Sequence, residues 1–159
     1  MADKGTASLS ASVFMDDIKS SMGGSSSYEP KDANDKWLFA EVAVSNSSTD
    51  LIADMDYLGS TATTVVADDD VAWIAIKNTS TTSTDGIAIR LDAGSAAHNS
   101  AGNIYIGSGE MVVLKTYTTP LASIHAISVT MDGTYGYPNA THAGTVSCQV
   151  AAIVDDGGV

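Results

Sequence analysis

VAWIAIKN, Val71–Asn78, packs β-branched and aromatic residues together and runs into a Lys-Asn-Thr turn, the pattern of a buried β-strand. Runs of the same kind lie on both sides. Toward the N-terminus, Trp37–Ser45 alternates, with Leu38, Ala40, Val42 and Val44 on one face, and Asn46–Asp50 supplies a turn. Leu51–Leu58 and Thr63–Ala67 read as weaker strands, interrupted at Gly59. Toward the C-terminus come Gly86–Leu91, Asn103–Ile106 and Met111–Lys115, the last after a Gly107-Ser108-Gly109-Glu110 turn. Ser123–Met131 alternates well, TYGYPNATHAG reads as a loop, and Thr145–Val154 closes the chain with Val146, Cys148, Val150, Ala152 and Val154 on one face.

Short strands bounded by turn residues, with no helical pattern between them, predict an all-β fold of antiparallel sheets. A β-sandwich of jelly-roll or Greek-key type is the expected architecture. Composition agrees. Charged residues make up 16% of 159, Ser and Thr fill about a fifth of the chain, and Gln occurs only at Gln149. Asp, Ser, Thr and Gly favour caps, turns and strands over helix interiors.

The first 36 residues differ from the rest. Leu9, Val13, Phe14, Ile18 and Met22 recur at roughly helical spacing, which predicts one short amphipathic helix capped by Ser10 or Ser12 and ended by Gly23-Gly24. SSSYEPKDANDK then reads as linker. The expected organisation is an N-terminal arm over 1–36, with a short helix, and a sandwich over 37–159. The arm either lies on its own domain or docks on a neighbouring subunit; Phe14 and Ile18 are its candidate partner contacts.

Reactive groups are sparse. His98 and His142 fall in loops, and His125 lies mid-strand with Ile127 and Val129; none has the spacing of a zinc site. Cys148 shares a face with Val146 and Val150, a setting that raises a thiol pKa. No nucleophile elbow, phosphate loop or zinc-protease motif occurs, so no catalytic residue, metal ligand or cofactor is expected and the chain is read as a non-enzyme. Asp54, Asp56, Asp68-Asp69-Asp70 and Asp155-Asp156 are candidate calcium ligands, but they read more simply as solvated turns. Three Asn-x-Ser/Thr matches, at Asn46, Asn78 and Asn139, are expected by chance in so Ser- and Thr-rich a chain. Trp73 alternates with Val71 and Ala75 as a core residue would. Tyr135 and Tyr137, in a loop with Gly136 and Pro138, mark the place to look for a ligand or partner.

The net charge of -12 disfavours nucleic acid, whose affinity comes from neutralising phosphates, and anionic membrane surfaces for the same reason. One cysteine makes no internal disulfide, and neither a cleaved signal pattern nor a membrane-length apolar run is present.

Three stretches together, VAWIAIKNTSTTSTDGIAIRLD, NIYIGSGEMVVLK and SCQVAAIVDD, resemble small β-sandwich virion proteins of tailed bacteriophages. The elements that carry the likeness are Lys77-Asn78-Thr79, Ile87–Leu91, Ile104–Ile106, Gly109-Glu110 and Met111–Leu114. The resemblance implies a capsid decoration (cement) protein made in the host cytoplasm and placed on the outer capsid surface of the virion. It further implies the major capsid protein as partner and a homo-oligomer, with a homotrimer favoured. A tail or fibre-associated component, or a carbohydrate- or calcium-binding sandwich module, is the alternative.

Overall fold

The computed structural model describes residues 5–15, 18–30, 35–52, 55–58, 69–91, 95–97, 99, 102–120, 124–134 and 136–155. The chain divides into two units, 1–33 and 34–159. The described elements are all strands, and every pairing is antiparallel.

The first unit is a β-hairpin, β1 (Gly5–Met15) against β2 (Ile18–Tyr28), in register from Gly5 opposite Tyr28 to Met15 opposite Ile18. The short helix expected over Leu9–Met22 is therefore corrected to two strands. A four-residue interval, as between Leu9 and Val13, suits a two-residue period as well as a helical turn.

The second unit carries β3 (Asp35–Val44), β4 (Thr49–Asp50), β5 (Asp70–Asn78), β6 (Asp85–Arg90), β7 (Ile104–Ile106), β8 (Met111–Pro120), β9 (His125–Met131), β10 (Pro138–Thr141) and β11 (Val146–Asp155). One sheet runs β3-β11-β5-β8; the other runs β10-β9-β6-β7, with β4 also on β9. Leu38, Val42, Val44, Ile74, Ile76, Val150 and Ala152 of the first sheet form one buried cluster with Ile87, Ile89, Ile106 and Ala126 of the second. This is an antiparallel β-sandwich, and period-two alternation is what fills it. Consecutive strands β5 and β6 lie in different sheets, and the last strand inserts between β3 and β5.

A bulge at Ala72 alters one expected face. Val154 pairs with Val71 and Ile153 with Trp73, so Ala72 is extra. Val71 points into the core while Trp73 is buried on the outer face, edge-to-face with Trp37 at 6.1 Å between ring centroids. A second, smaller cluster of Ala88, Ala96, Ile127, Val129 and Met131 covers the outer face of the other sheet. Leu51 and Ile52 are buried, but among the described residues there the strand is Thr49–Asp50, and the run Thr63–Ala67 lies outside the described residues. Pro138–Thr141, expected as loop, pairs at the edge of β9 as β10; a proline is tolerated as the first residue of an edge strand.

Candidate functional site

Among the described residues, a dense group of polar side chains gathers at one end of the sandwich, where the strand Val71–Asn78 runs out. Asn78 is fully buried. Its Nδ2 donates to the carbonyls of Asp85 at 3.0 Å and Ile106 at 3.3 Å, and its Oδ1 accepts from the Ser80 amide at 2.9 Å. One side chain of the first sheet thus ties two strands of the second. The neighbouring turns are locked in the same way. The Asn78 amide donates to the Glu110 carbonyl, Glu110 Oε2 accepts from the Gly107 amide at 2.6 Å, and Ser108 Oγ donates to the Ser80 carbonyl at 2.6 Å. With its amide so engaged, Asn78 is no glycosylation acceptor.

Ser, Asp and His side chains also meet here, a grouping the spacing did not foretell. Ser80 Oγ donates to Asp85 Oδ2 at 2.6 Å, and His142 Nε2 lies 3.4 Å from Asp85 Oδ1. The order matters. A nucleophilic triad needs the imidazole between hydroxyl and carboxylate, so that it takes the hydroxyl proton. Here the carboxylate is in the middle. His142 Nδ1 accepts from the Gly144 amide at 3.0 Å, which leaves the Nε2 hydrogen facing Asp85 and no nitrogen toward Ser80. The arrangement pins Thr82, whose amide donates to Ser80 Oγ, and the segment after β10; it does not activate a hydroxyl.

Cys148 lies in the core beneath a shallow depression of about 240 Å³ lined by Glu41, Val42, Ala43, Thr79, Ser147, Cys148 and Gln149. Desolvation pushes its thiol up to about 11, against a smaller lowering by the Val42 backbone, so the nucleophilic thiolate is scarce at neutral pH. His125 is buried, and its Nε2 lies 2.8 Å from Asp50 Oδ1, tying β9 to the two-residue β4. Asp69 is not a solvated turn residue. It is buried and accepts the Tyr57 hydroxyl at 2.6 Å. Asp54, Asp68, Asp156 and His98 lie outside the described residues, among which no cluster of metal-ligating side chains is found.

The four candidate contact residues are not brought together by any described contact. The backbone sets Phe14 opposite Lys19 and Ile18 opposite Met15 in the hairpin; their side chains, and Tyr135 altogether, lie outside the described ones. Tyr137 is exposed, and its carbonyl accepts from the Asp132 amide at 2.7 Å, closing the turn after β9.

An unforeseen surface lies on the outer face of β3-β11-β5-β8. Phe39, Ala151, Ala75 and Val113 follow one another across the four strands in register, and Phe39 is 50% exposed. The next row is Glu41, Gln149, Lys77 and Met111, with Met111 exposed as well. Assigning Leu38, Val42 and Val44 to the core already turns Phe39 outward, so alternation held the signal. No protein family, curated protein or solved structure matches the chain.

Proposed function

We propose that the chain is a non-enzymatic structural protein of a virion, which decorates the outside of a tailed-phage capsid and stabilises it by binding the major capsid protein. The observation that carries this reading is the destination of the reactive side chains. Asn78, Ser80, Asp85, Ser108, Glu110 and His142 are turned onto the chain's own turns, and Cys148 is held as a thiol in the core. What faces outward is a broad sheet face bearing Phe39 and Met111. Such a molecule acts through its surfaces on other chains, copies of itself included.

A net charge of -12 favours a position away from packed nucleic acid and supports the outer wall over the inner one. The elements behind the likeness to phage virion sandwiches, Lys77-Asn78-Thr79 and Gly109-Glu110, sit in the interlock that joins the two sheets, which suits a protein required to be rigid. The test is reconstitution. Particles stripped of the protein are incubated with the purified chain, and bound protein and heat resistance are measured. Saturable binding with restored resistance is expected. Failure to bind particles, or hydrolytic activity abolished by Ser80→Ala, would overturn the proposal.

A further inference from the structure

We propose that the outer face of β3-β11-β5 binds the same face of a second copy of this chain, about a two-fold axis running along β11. Two independent features of the face are self-complementary under that one operation. The first is shape. Phe39 on β3 stands half exposed, while Ala151 on β11 and Ala75 on β5 follow it in the same row with only methyl groups. A large side chain therefore stands beside a shallow floor. β3 and β5 are each one strand from β11, about 5 Å on opposite sides. A two-fold axis along β11 exchanges the two sides and sets Phe39 of each copy over Ala75 of the other, with Ala151 meeting its counterpart on the axis.

The second feature is charge. In the adjacent row Glu41 on β3 and Lys77 on β5 are separated by Gln149, the same offset as Phe39 and Ala75. The operation that fits the phenyl rings to the alanines also places Glu41 of each copy opposite Lys77 of the other, twice by symmetry. Glu41 and Lys77 are both exposed. Lys77 and Lys115 both point outward on this sheet, so the face carries two of the seven Lys and Arg residues of a chain with nineteen acids. The same face also carries Asp35, Asp155 and Asp70 in one row at its far end, so the charges are complementary only around the Glu41 and Lys77 row. Packed sheets lie about 10 Å apart, which long side chains such as Glu and Lys span. At the far end of the face Trp73 and Ile153 are already buried, so the pairing centres on the Phe39 and Glu41 rows.

The experiment is sedimentation velocity on the full chain over concentrations reaching about 100 µM, where interfaces of modest area are populated. A reversible dimer is expected. Glu41→Lys and Lys77→Glu each set like charges face to face and should weaken the dimer by on the order of tenfold or more. Mixing the two single variants restores opposite charges at both contacts, so a mixed dimer should form at near wild-type concentrations. The double variant should recover as well. Both positions are exposed, and recovery on mixing shows that the single variants are folded. A monomer throughout the range, a trimer, single reversals that leave the dimer intact, or single variants that fail to pair would each overturn the inference. None of these outcomes is read from binding to particles: a trimer would overturn the two-fold pairing while leaving intact the virion reading, whose resemblance favours a homotrimer.

Discussion

Asn78 offers the sharpest test of how the two sheets are held together. Replacing it with alanine removes the amide that serves the Asp85 and Ile106 carbonyls and the oxygen that serves the Ser80 amide. Three backbone groups lose a partner around a position with no solvent access. At about 1 kcal/mol for each group left unsatisfied, the low end of the usual range, Asn78→Ala should cost roughly 3 kcal/mol. For a chain of this size that is a fall in Tm of about 6–12 °C. Urea denaturation followed by tryptophan fluorescence, with calorimetry beside it, measures both. Asn78→Asp adds a second reading. Its shape is preserved, but a carboxylate replaces the amide against two carbonyl oxygens in the core. Burial and those oxygens raise the folded-state pKa above the value of about 3.9 for an unfolded Asp. The native state then holds the proton over a window where the unfolded state has lost it, so stability relative to wild type falls as pH rises through that window. At pH 7 Asn78→Asp should be less stable than Asn78→Ala, and the gap should narrow as pH drops toward about 4. A loss below about 1 kcal/mol in the alanine variant, or an aspartate deficit that ignores pH, would refute the bridging role.

Other expectations follow from single positions. Cys148, buried and with its thiol pushed up to about 11, should resist maleimide at pH 8 until the chain is unfolded; rapid stoichiometric labelling of the native protein would contradict that. A Cβ at Gly86 would lie 2.4 Å from Cγ and 2.5 Å from Sδ of buried Met131, so Gly86→Ala should cost about 1–3 kcal/mol by overpacking. Met131→Ala should relieve part of that cost, and strict additivity in the double-mutant cycle would show that the contact is not its source. Deleting residues 1–30 should leave 34–159 folding cooperatively, since that unit has its own core, while weakening attachment to particles. A truncated chain without a cooperative transition would count against the independence of the second unit.

The sandwich was legible because its core strands alternate without large exceptions. Leu38 to Val44 and Val146 to Val154 place their apolar residues two apart, and the pairing register follows that pattern. The helical spacing over Leu9–Met22 misleads for a specific reason. Ala7, Leu9, Ala11, Val13 and Met15 also alternate with Thr6, Ser8, Ser10 and Ser12, but alanine is a weak apolar signal beside Leu and Val. The larger residues alone keep an interval of four, which both periods share. Trp73 is buried, as its alternation suggests, but one inserted residue, Ala72, turns it to the face opposite Val71, and a bulge leaves no mark in composition. The polar contacts are illegible for a different reason. Tyr57 reaches Asp69, Asp50 reaches His125 and Asp85 reaches His142 across elements far apart in sequence, so strand order has to be known before any of them can be drawn. Phe39 was legible in principle, since its neighbours already belong to the core face.

The two units solve the problem of burial differently, and that bears on function. Residues 34–159 have two sheets, so each buries the other's inner face. Residues 1–33 have one hairpin of two 11-residue strands, about twice the usual strand length, and a two-stranded ribbon has no second layer. A lone two-stranded hairpin is marginally stable in water. Its strand sequences reinforce the point. From Gly5 to Tyr28 there is no proline, and lysine occurs only at Lys19, so the residues that normally blunt a free strand edge are scarce. An edge of that kind favours strand addition to a neighbouring sheet, where main-chain hydrogen bonds supply affinity. A sandwich with its own core joined to a long two-stranded ribbon suits the proposed lattice role, in which the sandwich would keep its shape unaided and the ribbon would add to a neighbour.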